Sequence, residues 1–370
     1  MIQPEEIPLP EGIRSRLISD VNGLDMHILE AGDPVCPCIL LLHGFPELAY
    51  SWRHIMLPIA EAGFHVVAPD QRGYGWTTGW DKEYSSDLSP FRRFNLIQDL
   101  CELLHALKHQ NVVTVVGHDY GSPVAAWASL LRPDIFQSVV LMSAPFSGAT
   151  RLFNSGSADI HQALTELPKP KKHYQHYYTQ SNANNDILNC AQGVHDFLRA
   201  YYHYKSADWK GNNPFPLTGW TAHELAKMPS YYIMDYEQTI AQAVEHFMPS
   251  EKEIAQCHWL DDTELEIYTS VYQHTSFQGG LNWYRVENSP HNVDEVLFSG
   301  KTIDVPSCFI AGKNDWGIYQ SPGALEAMKE RACTNMQEVH FIDNAGHWVQ
   351  QEKPTEVTKL VLGFIAVQVN

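Results

Sequence analysis

Apolar residues recur along the first 145 positions in short runs that alternate with helical patterns. Residues 14–31 alternate between apolar and polar side chains, with Asn22-Gly23 as the turn of a hairpin. Four further runs predict buried strands, and three helical patterns lie between them. The strands are expected at residues 39–42, 66–68, 112–116 and 139–142, and the helices at residues 49–62, 95–109 and 122–132. This alternation predicts a mostly parallel sheet with helices on both faces.

The pattern changes after Pro145. Residues 146 to about 300 are rich in Tyr, His, Asn and Trp, and have helical periodicity without convincing buried strands. A sheet-like pattern resumes at Val305. We therefore predict an α/β core in two parts, residues 1–145 and 303–370, interrupted by a helical cap at residues 146–302.

The most informative segment is the strand at residues 112–116, which leads into a sharp turn and then a helix. Asp119 stands at the centre of that turn, flanked by Gly117 and Gly121. This layout is typical of a nucleophile elbow, in which a strained turn exposes the central side chain. The usual occupant is Ser. A carboxylate changes the chemistry, because it can attack an electrophilic carbon without first losing a proton.

Three other segments supply the partners that such a nucleophile needs. An apolar strand precedes the turn HGFP at residues 43–46, and the amides of Phe45 and Tyr120 are placed to form an oxyanion hole. Asp315 ends a buried, strand-like run, and His347 follows another. The order is nucleophile, acid, histidine, and all three follow strands, where open α/β sheets place their sites.

These motifs resemble those of the epoxide hydrolases in the α/β-hydrolase superfamily, and the resemblance covers most of the chain. The residues that carry it are HGFPE (43–47), DQRGYGWT (70–77), GHDYGS (117–122), FQGGLNWYR (277–285) and AGHW (345–348). FQGGLNWYR is the most discriminating, because it resembles the lid signature of that family. The chain departs from the family pattern at Thr77, where Ser is usual, and at Ser276 and Gln278 around the lid signature.

The resemblance implies an α/β-hydrolase fold with an inserted helical cap, and hydrolysis of an epoxide to a vicinal diol without metal or organic cofactor. Asp119 would form the ester, and His347, oriented by Asp315, would activate the water that hydrolyses it. Tyr268, by its position before the lid signature, and Tyr174, in HYQHYY (173–178), would grip the epoxide oxygen. Tyr177 and Tyr178 remain alternatives to Tyr174. Substrate contacts are expected from the matched motifs at His43, Pro46 and Trp348.

Haloalkane dehalogenase is the nearest alternative, because it uses the same triad. The dehalogenases that this elbow resembles usually carry Trp directly after the nucleophile, where this chain has Tyr120, and many have Asn at the position of Phe45. A fluoroacetate-type dehalogenase would need an Arg pair near the elbow, and no Arg follows Asp119 before Arg132. A non-catalytic receptor on the same scaffold is a third class, which the intact triad disfavours.

Composition argues against several other kinds of partner and site. The net charge of −18 argues against nucleic acid and anionic membrane as partners. No basic leader and no run of about 18 apolar residues is visible, so a cytoplasmic protein without membrane insertion is expected. Seven cysteines without C-x-x-C spacing, and 19 histidines without a credible helical ligand pair, predict no metal site. The aromatic cap favours an apolar or aryl epoxide; oligomeric state stays open, with a homo-oligomer as one option.

Overall fold

The computed structural model describes residues 3–149 and 159–369. Eight strands in this part form one sheet in the order β1-β2-β4-β3-β5-β6-β9-β10. β1 pairs antiparallel with β2, and β2 with β4, whereas the other neighbours are parallel. The strands are β1 (Ile13–Val21), β2 (Leu24–Ala31), β3 (Cys38–Leu42), β4 (His65–Pro69), β5 (Thr114–His118), β6 (Val139–Met142), β7 (Lys171–His173), β8 (Ile233–Asp235), β9 (Ser307–Gly312) and β10 (Met336–Ile342). The predicted, mostly parallel sheet is confirmed.

Helices cover both faces of this sheet and fill the segment between β6 and β9. The α-helices are α1 (Arg53–Glu61), α2 (Arg93–Ala106), α3 (Gly121–Leu131), α4 (Ile160–Thr165), α5 (Tyr174–Tyr178), α6 (Ala183–Leu188), α7 (Gly193–Lys205), α8 (Ala222–Leu225), α9 (Ile240–Glu245), α10 (Glu251–Gln256), α11 (Asp262–Thr275), α12 (Gln278–Glu287), α13 (Ala324–Ala327), α14 (Val349–Glu352) and α15 (Pro354–Val369). Short 3-10 segments occupy Pro4–Glu6, Ala49–Trp52, Ser89–Phe91, Pro290–Phe298 and Trp316–Ile318, and a π-helical turn follows α13 at Met328–Ala332.

The central strand β3 shows why the sheet is covered on both sides. Ile39 and Leu41 belong to one apolar cluster, together with residues of α1 and α15. Leu40 and Leu42 point the other way, into a cluster shared with α2, α3 and the inserted helices. All four side chains are fully buried. A strand buried on both faces needs a continuous apolar run, as parallel central strands have.

Most predicted boundaries hold, and the exceptions have local causes. The hairpin turn lies at Asn22-Gly23, both with the positive φ that such turns require. β5 begins two residues later than predicted, because Val112 forms an isolated bridge with Phe136. α2 ends three residues before the predicted His109, because Lys108 has a left-handed φ of 65° and reverses the chain.

The inserted segment is mainly helical, as predicted, but it is not free of strands. β7 pairs antiparallel with β8 in a small, partly buried second sheet, which the sequence pattern did not indicate. Each strand has three residues, too few to give an apolar alternation in the sequence. Residues 150–158 of the predicted cap lie outside the described residues, and the domain boundaries after residues 145 and 302 stay predictions. Within the described ranges, no helix combines the length and apolar character needed to cross a bilayer.

Candidate active site

The elbow at the end of β5 is a tight crossing of backbone segments. Asp119 has a φ of 50°, which non-glycine residues rarely adopt and which costs about 1–3 kcal/mol. A Cβ on Gly117 would lie 2.2 Å from the carbonyl oxygen of Gly121, and a Cβ on Gly121 would lie 2.2 Å from that of Leu42. Both glycines are therefore required for the turn, and the turn lifts the Asp119 side chain to the carboxyl edge of the sheet.

The imidazole of His347 lies between two carboxylates. Its Nε2 is 3.1 Å from Oδ2 of Asp119, and its Nδ1 is 3.0 Å from Oδ1 of Asp315. The backbone amide of Gly317 also donates to Asp315 Oδ1, at 2.7 Å. All three triad residues are at least nine-tenths buried. The structure thus brings together the nucleophile, base and acid that were predicted from three distant segments.

Hydrogen bonding controls the ionisation of these carboxylates. Burial by itself would raise the pKa of Asp119, but the hydrogen bond from His347 and nearby positive charge outweigh burial and lower that pKa below its usual range. The same balance lowers the pKa of Asp315, through His347 and the Gly317 amide. Asp119 is therefore ionised, as its predicted role as a nucleophile requires.

Phe45, one of the two residues predicted to form the oxyanion hole, contacts the Asp119 carboxylate. The backbone amide of Phe45 donates to Oδ1 of Asp119 at 2.9 Å. A Cβ on Gly44 would lie 2.3 Å from that oxygen, so Gly44 is required for the approach. The role of the Tyr120 amide stays a prediction. The Tyr120 hydroxyl donates toward the Trp283 carbonyl and Glu287 Oε2, both at 3.1 Å.

A buried histidine–glutamate pair contacts the backbone of His347 and was not predicted from the sequence. His118 Nδ1 is 2.6 Å from Glu47 Oε2, and His118 Nε2 donates to the His347 carbonyl at 2.7 Å. Burial lowers the pKa of His118, but the charge of Glu47 outweighs it and raises that pKa. Both residues lie in the quoted motifs, HGFPE and GHDYGS. In the sequence, the signal that could have identified them is an ionisable residue beside a predicted buried strand. Both side chains are fully buried in the structure.

The lid segment HYQHYY forms helix α5, which separates its three tyrosines. Burial raises the pKa of both Tyr174 and Tyr178, and the charge of Asp119 adds to that rise; the two residues lie four positions apart on one helix face. Tyr174 donates to Gln320 Oε1 at 3.2 Å and accepts from Gln175 Nε2 at 3.1 Å. Tyr177 instead donates to Asp186 at 3.0 Å. The geometry therefore favours Tyr174 or Tyr178 over Tyr177.

Tyr268 is buried on α11, but its hydroxyl has another partner. It donates to Gln351 Oε1 at 3.3 Å, and the side chain of Arg53 also donates to that oxygen, at 2.9 Å. Burial raises the pKa of Tyr268, and the charge of Arg53 opposes that rise. The observed hydrogen bond of the Tyr268 hydroxyl is to Gln351, so its role in gripping the epoxide stays a prediction from the resemblance.

The three predicted substrate contacts are all buried near the triad. His43 holds two loops, since its Nδ1 donates to the Gly44 carbonyl at 2.9 Å and its Nε2 accepts from the Gln71 amide at 3.2 Å. The carbonyl of Pro46 accepts a hydrogen bond from a cap tyrosine at 2.9 Å. The Trp348 ring packs edge-on against His347, with centroids 4.6 Å apart. Their contact with substrate stays a prediction.

A buried lysine beside the triad was also missed. Lys205, at the end of α7, is 3% exposed and points its ammonium group over four aromatic rings at 5.1–5.8 Å. Burial lowers its pKa, and the charges of Asp119 and Asp315 oppose that shift. Cation–π contacts and two carboxylates stabilise a charge that burial would otherwise disfavour. The rings belong to Tyr201, Tyr231, Tyr232 and Trp348.

Comparison with protein families identifies the scaffold. The model of the alpha/beta hydrolase fold matches residues 37–354, so the chain belongs to the α/β-hydrolase family. Within this family, its relatives place the chain among the epoxide hydrolases. The chain is 32% identical over 363 residues to epoxide hydrolase A of Mycobacterium tuberculosis, covering 96% of this chain and 98% of the relative.

Solved structures agree with this placement. Epoxide hydrolase I of potato (Solanum tuberosum) matches with a TM-score of 0.74 and 29% identity, over 96% of this chain and 99% of that one. An epoxide hydrolase from an endophytic Streptomyces matches with a TM-score of 0.77 and 27% identity, over 96% of each chain. The fold expected from the resemblance is confirmed.

Proposed function

We propose that the enzyme hydrolyses an epoxide to a vicinal diol through a covalent ester on Asp119. The observation that carries the proposal is the carboxylate at the elbow, in hydrogen-bond contact with an imidazole that a second carboxylate, Asp315, orients. A carboxylate nucleophile suits attack on a saturated carbon, and the histidine suits a later hydrolysis step.

In the first step, Oδ2 of Asp119 attacks an oxirane carbon. Oδ1 keeps its hydrogen bond from the Phe45 amide, so Oδ2 is the oxygen available for the attack. The new C–O ester bond forms as the ring C–O bond breaks, and the ring oxygen leaves with the electron pair. A lid tyrosine donates its proton to that alkoxide, and the resulting phenolate regains a proton from solvent later in the cycle.

In the second step, His347 Nε2 removes a proton from water, which attacks the ester carbonyl carbon. The negative charge develops on Oδ1, where the Phe45 amide already donates. Collapse of this tetrahedral intermediate breaks the bond to Oδ2, and the proton held by His347 completes the diol. The diol therefore keeps one Asp119 oxygen, and the water oxygen replaces it in the enzyme.

We assign proton donation to Tyr174, with Tyr268 as a second donor once it exchanges Gln351 for the substrate. Tyr174 lies at the position that the resemblance gives to the lid tyrosine, and the charge of Asp119 adds to the rise that burial causes in its pKa. Aromatic rings of Phe45, Tyr178 and Tyr284 lie 5.0–5.6 Å apart beside it and would accommodate an apolar or aryl substituent.

Haloalkane dehalogenation remains the competing activity, since the triad would serve it equally. A halide leaving group needs N–H donors. Tyr120, next to the nucleophile, instead carries a hydroxyl that is engaged with the Trp283 carbonyl and Glu287. Parallel assays with styrene oxide and a chlorinated alkane, read as diol and chloride, separate the two activities.

The decisive experiment is a single turnover in ¹⁸O-water with enzyme in excess over styrene oxide. We expect an unlabelled diol and one ¹⁸O in the peptide that contains Asp119. The control is Asp119→Ala, which should melt normally but form no diol and take up no label. A diol that carries ¹⁸O after one turnover would mean direct attack by water and would refute the ester.

A further inference from the structure

From the sequence, no metal site is expected, because the cysteines lack C-x-x-C spacing and no histidine pair lies in a credible helical setting. The fold nevertheless brings together one cysteine and two histidines from three separate segments. Cys38, His65 and His109 each offer one ligand atom, and these atoms all lie within 4.8 Å of one another. Cys38 and His65 are buried, and His109 is partly exposed.

Local backbone structure explains why these three side chains lie close together. Cys38 opens β3 and His65 opens β4, and the two residues are direct partners across the parallel pair. Their side chains therefore project from the same face of the sheet. The left-handed turn at Lys108 brings His109 back against them after α2. The cluster lies where strands begin, at the opposite edge of the sheet from Asp119.

The hydrogen bonds prepare His65 as a ligand. Its Nε2 lies 3.3 Å from Glu30 Oε2, and a carboxylate acceptor keeps the proton on that nitrogen. The Nδ1 lone pair is then directed at His109, whose Nε2 is 2.8 Å away. Arg14 and Arg16 hold the Glu30 carboxylate at 3.0 and 2.9 Å. A carboxylate behind an imidazole is the usual support of metal-binding histidines.

We propose that Cys38, His65 and His109 bind a divalent d-block cation, with Zn²⁺ favoured by the donor set. One thiolate and two imidazoles suit Zn²⁺ better than Ca²⁺ or Mg²⁺, which take oxygen ligands. Zn–N bonds of about 2.0–2.1 Å place two tetrahedral nitrogens roughly 3.3 Å apart. The two imidazole nitrogens, 2.8 Å apart, need to separate by only about half an ångström to reach that spacing. His109 is partly exposed, so water can supply a fourth ligand.

Such an ion would link β3, β4 and the end of α2. It would bind the folded chain and not the unfolded one, because the three ligands meet only in the fold, and so would raise thermal stability. Since the cluster lies at the far edge of the sheet from the triad, epoxide turnover should not depend on it.

The test uses the full chain, stripped with a chelator and titrated with Co²⁺ as a spectroscopic substitute for Zn²⁺. We expect one equivalent of Co²⁺ to give thiolate-to-metal charge-transfer absorption, which Zn²⁺ then displaces, and we expect Zn²⁺ to raise Tm. Cys38→Ala should abolish the thiolate band. His109→Gln, at a partly exposed position, should weaken Co²⁺ binding by at least about 10-fold and serves if Cys38→Ala fails to fold.

The matched control is Cys308→Ala. Cys308, Glu338 and His340 form a second group of ligand atoms within 4.8 Å of one another, on β9 and β10. The control should leave the absorption and the rise in Tm unchanged. The proposal is overturned if the stripped protein gives no thiolate band and no rise in Tm. It is also overturned if the band survives Cys38→Ala, or if Cys308→Ala removes it.

Discussion

Replacing Asp315 with Asn should slow hydrolysis of the ester while leaving its formation nearly intact. The substitution removes one charge with little change of shape. Asp315 Oδ1 accepts hydrogen bonds from the Gly317 amide and from His347 Nδ1, and an Asn side chain can keep its oxygen at that position. Oδ2 has no hydrogen-bond partner among the described residues, so an amide nitrogen can replace it without breaking a bond.

The magnitude follows from the charge that His347 gains when it takes a proton from water. At the 3.0 Å between Nδ1 and Asp315 Oδ1, two unit charges attract by about 5.5 kcal/mol at an effective dielectric constant of about 20. The imidazolium charge is spread over the ring, and Asn keeps a carbonyl dipole. We therefore expect a loss of about 3–5 kcal/mol in the hydrolysis step, or roughly 10²- to 10⁴-fold in rate.

Stopped-flow fluorescence and intact-protein mass spectrometry can separate the two steps. The Trp348 ring touches His347 and can report formation of the ester. In Asp315→Asn, protein heavier by one substrate should accumulate, with an alkylation rate within about 10-fold of wild type. Asp343→Asn, which removes a largely exposed carboxylate paired with Lys313, is the matched control and should behave as wild type. Equal slowing of both steps, without accumulated ester, would refute the division of roles.

Three further outcomes are expected. His347→Gln should trap the ester permanently, as a mass gain of one substrate that peptide mapping places on Asp119; unmodified protein at saturating styrene oxide would contradict the covalent route. Tyr174→Phe should slow alkylation by about 1–3 kcal/mol of lost hydrogen bonding, whereas Tyr177→Phe, whose hydroxyl is bound by Asp186, should not; the reverse result would show that the lid tyrosine is misassigned. Because the pKa of Asp119 is lowered, its carboxylate should stay ionised on acidification. The alkylation rate should therefore hold constant down to roughly pH 5, and a fall in that rate above this pH in single-turnover pH profiles would contradict the assignment.

Features encoded in contiguous residues could be predicted from the sequence. The elbow at Asp119 depends on two glycines within two positions of it, and the strand before Asp315 is a largely apolar run. Each such signal lies within a window of about ten residues, and the order of segments then defines the topology. The proximity of Asp119, Asp315 and His347 could be predicted because parallel strands place their carboxyl ends at one edge of the sheet.

Features that depend on distant packing could not be predicted. Lys205 reads as an ordinary charged residue at the end of a helix, and only the fold surrounds it with rings and carboxylates. The partner of the Tyr268 hydroxyl, Gln351, lies 83 positions away. The same limit applies to Cys38, His65 and His109, because their separation in the sequence matches no metal-ligand motif. Side-chain direction and long-range neighbours follow from tertiary packing, which a local pattern does not record.

The loop that carries His347 is bonded directly to the inserted segment. The His347 amide donates to the carbonyl of Lys205 at 3.0 Å, and the Trp348 indole donates to the carbonyl of Tyr202 at 2.9 Å. Glu352 joins the same two regions, since its carboxylate accepts from the amides of Ala207 and Gly346, both at 2.9 Å. On the inserted segment these bonds use only backbone atoms, so they constrain its length and register more than its residue identity. Recombination between relatives would therefore have to transfer the end of α7 and the His347 loop together, as one inherited block.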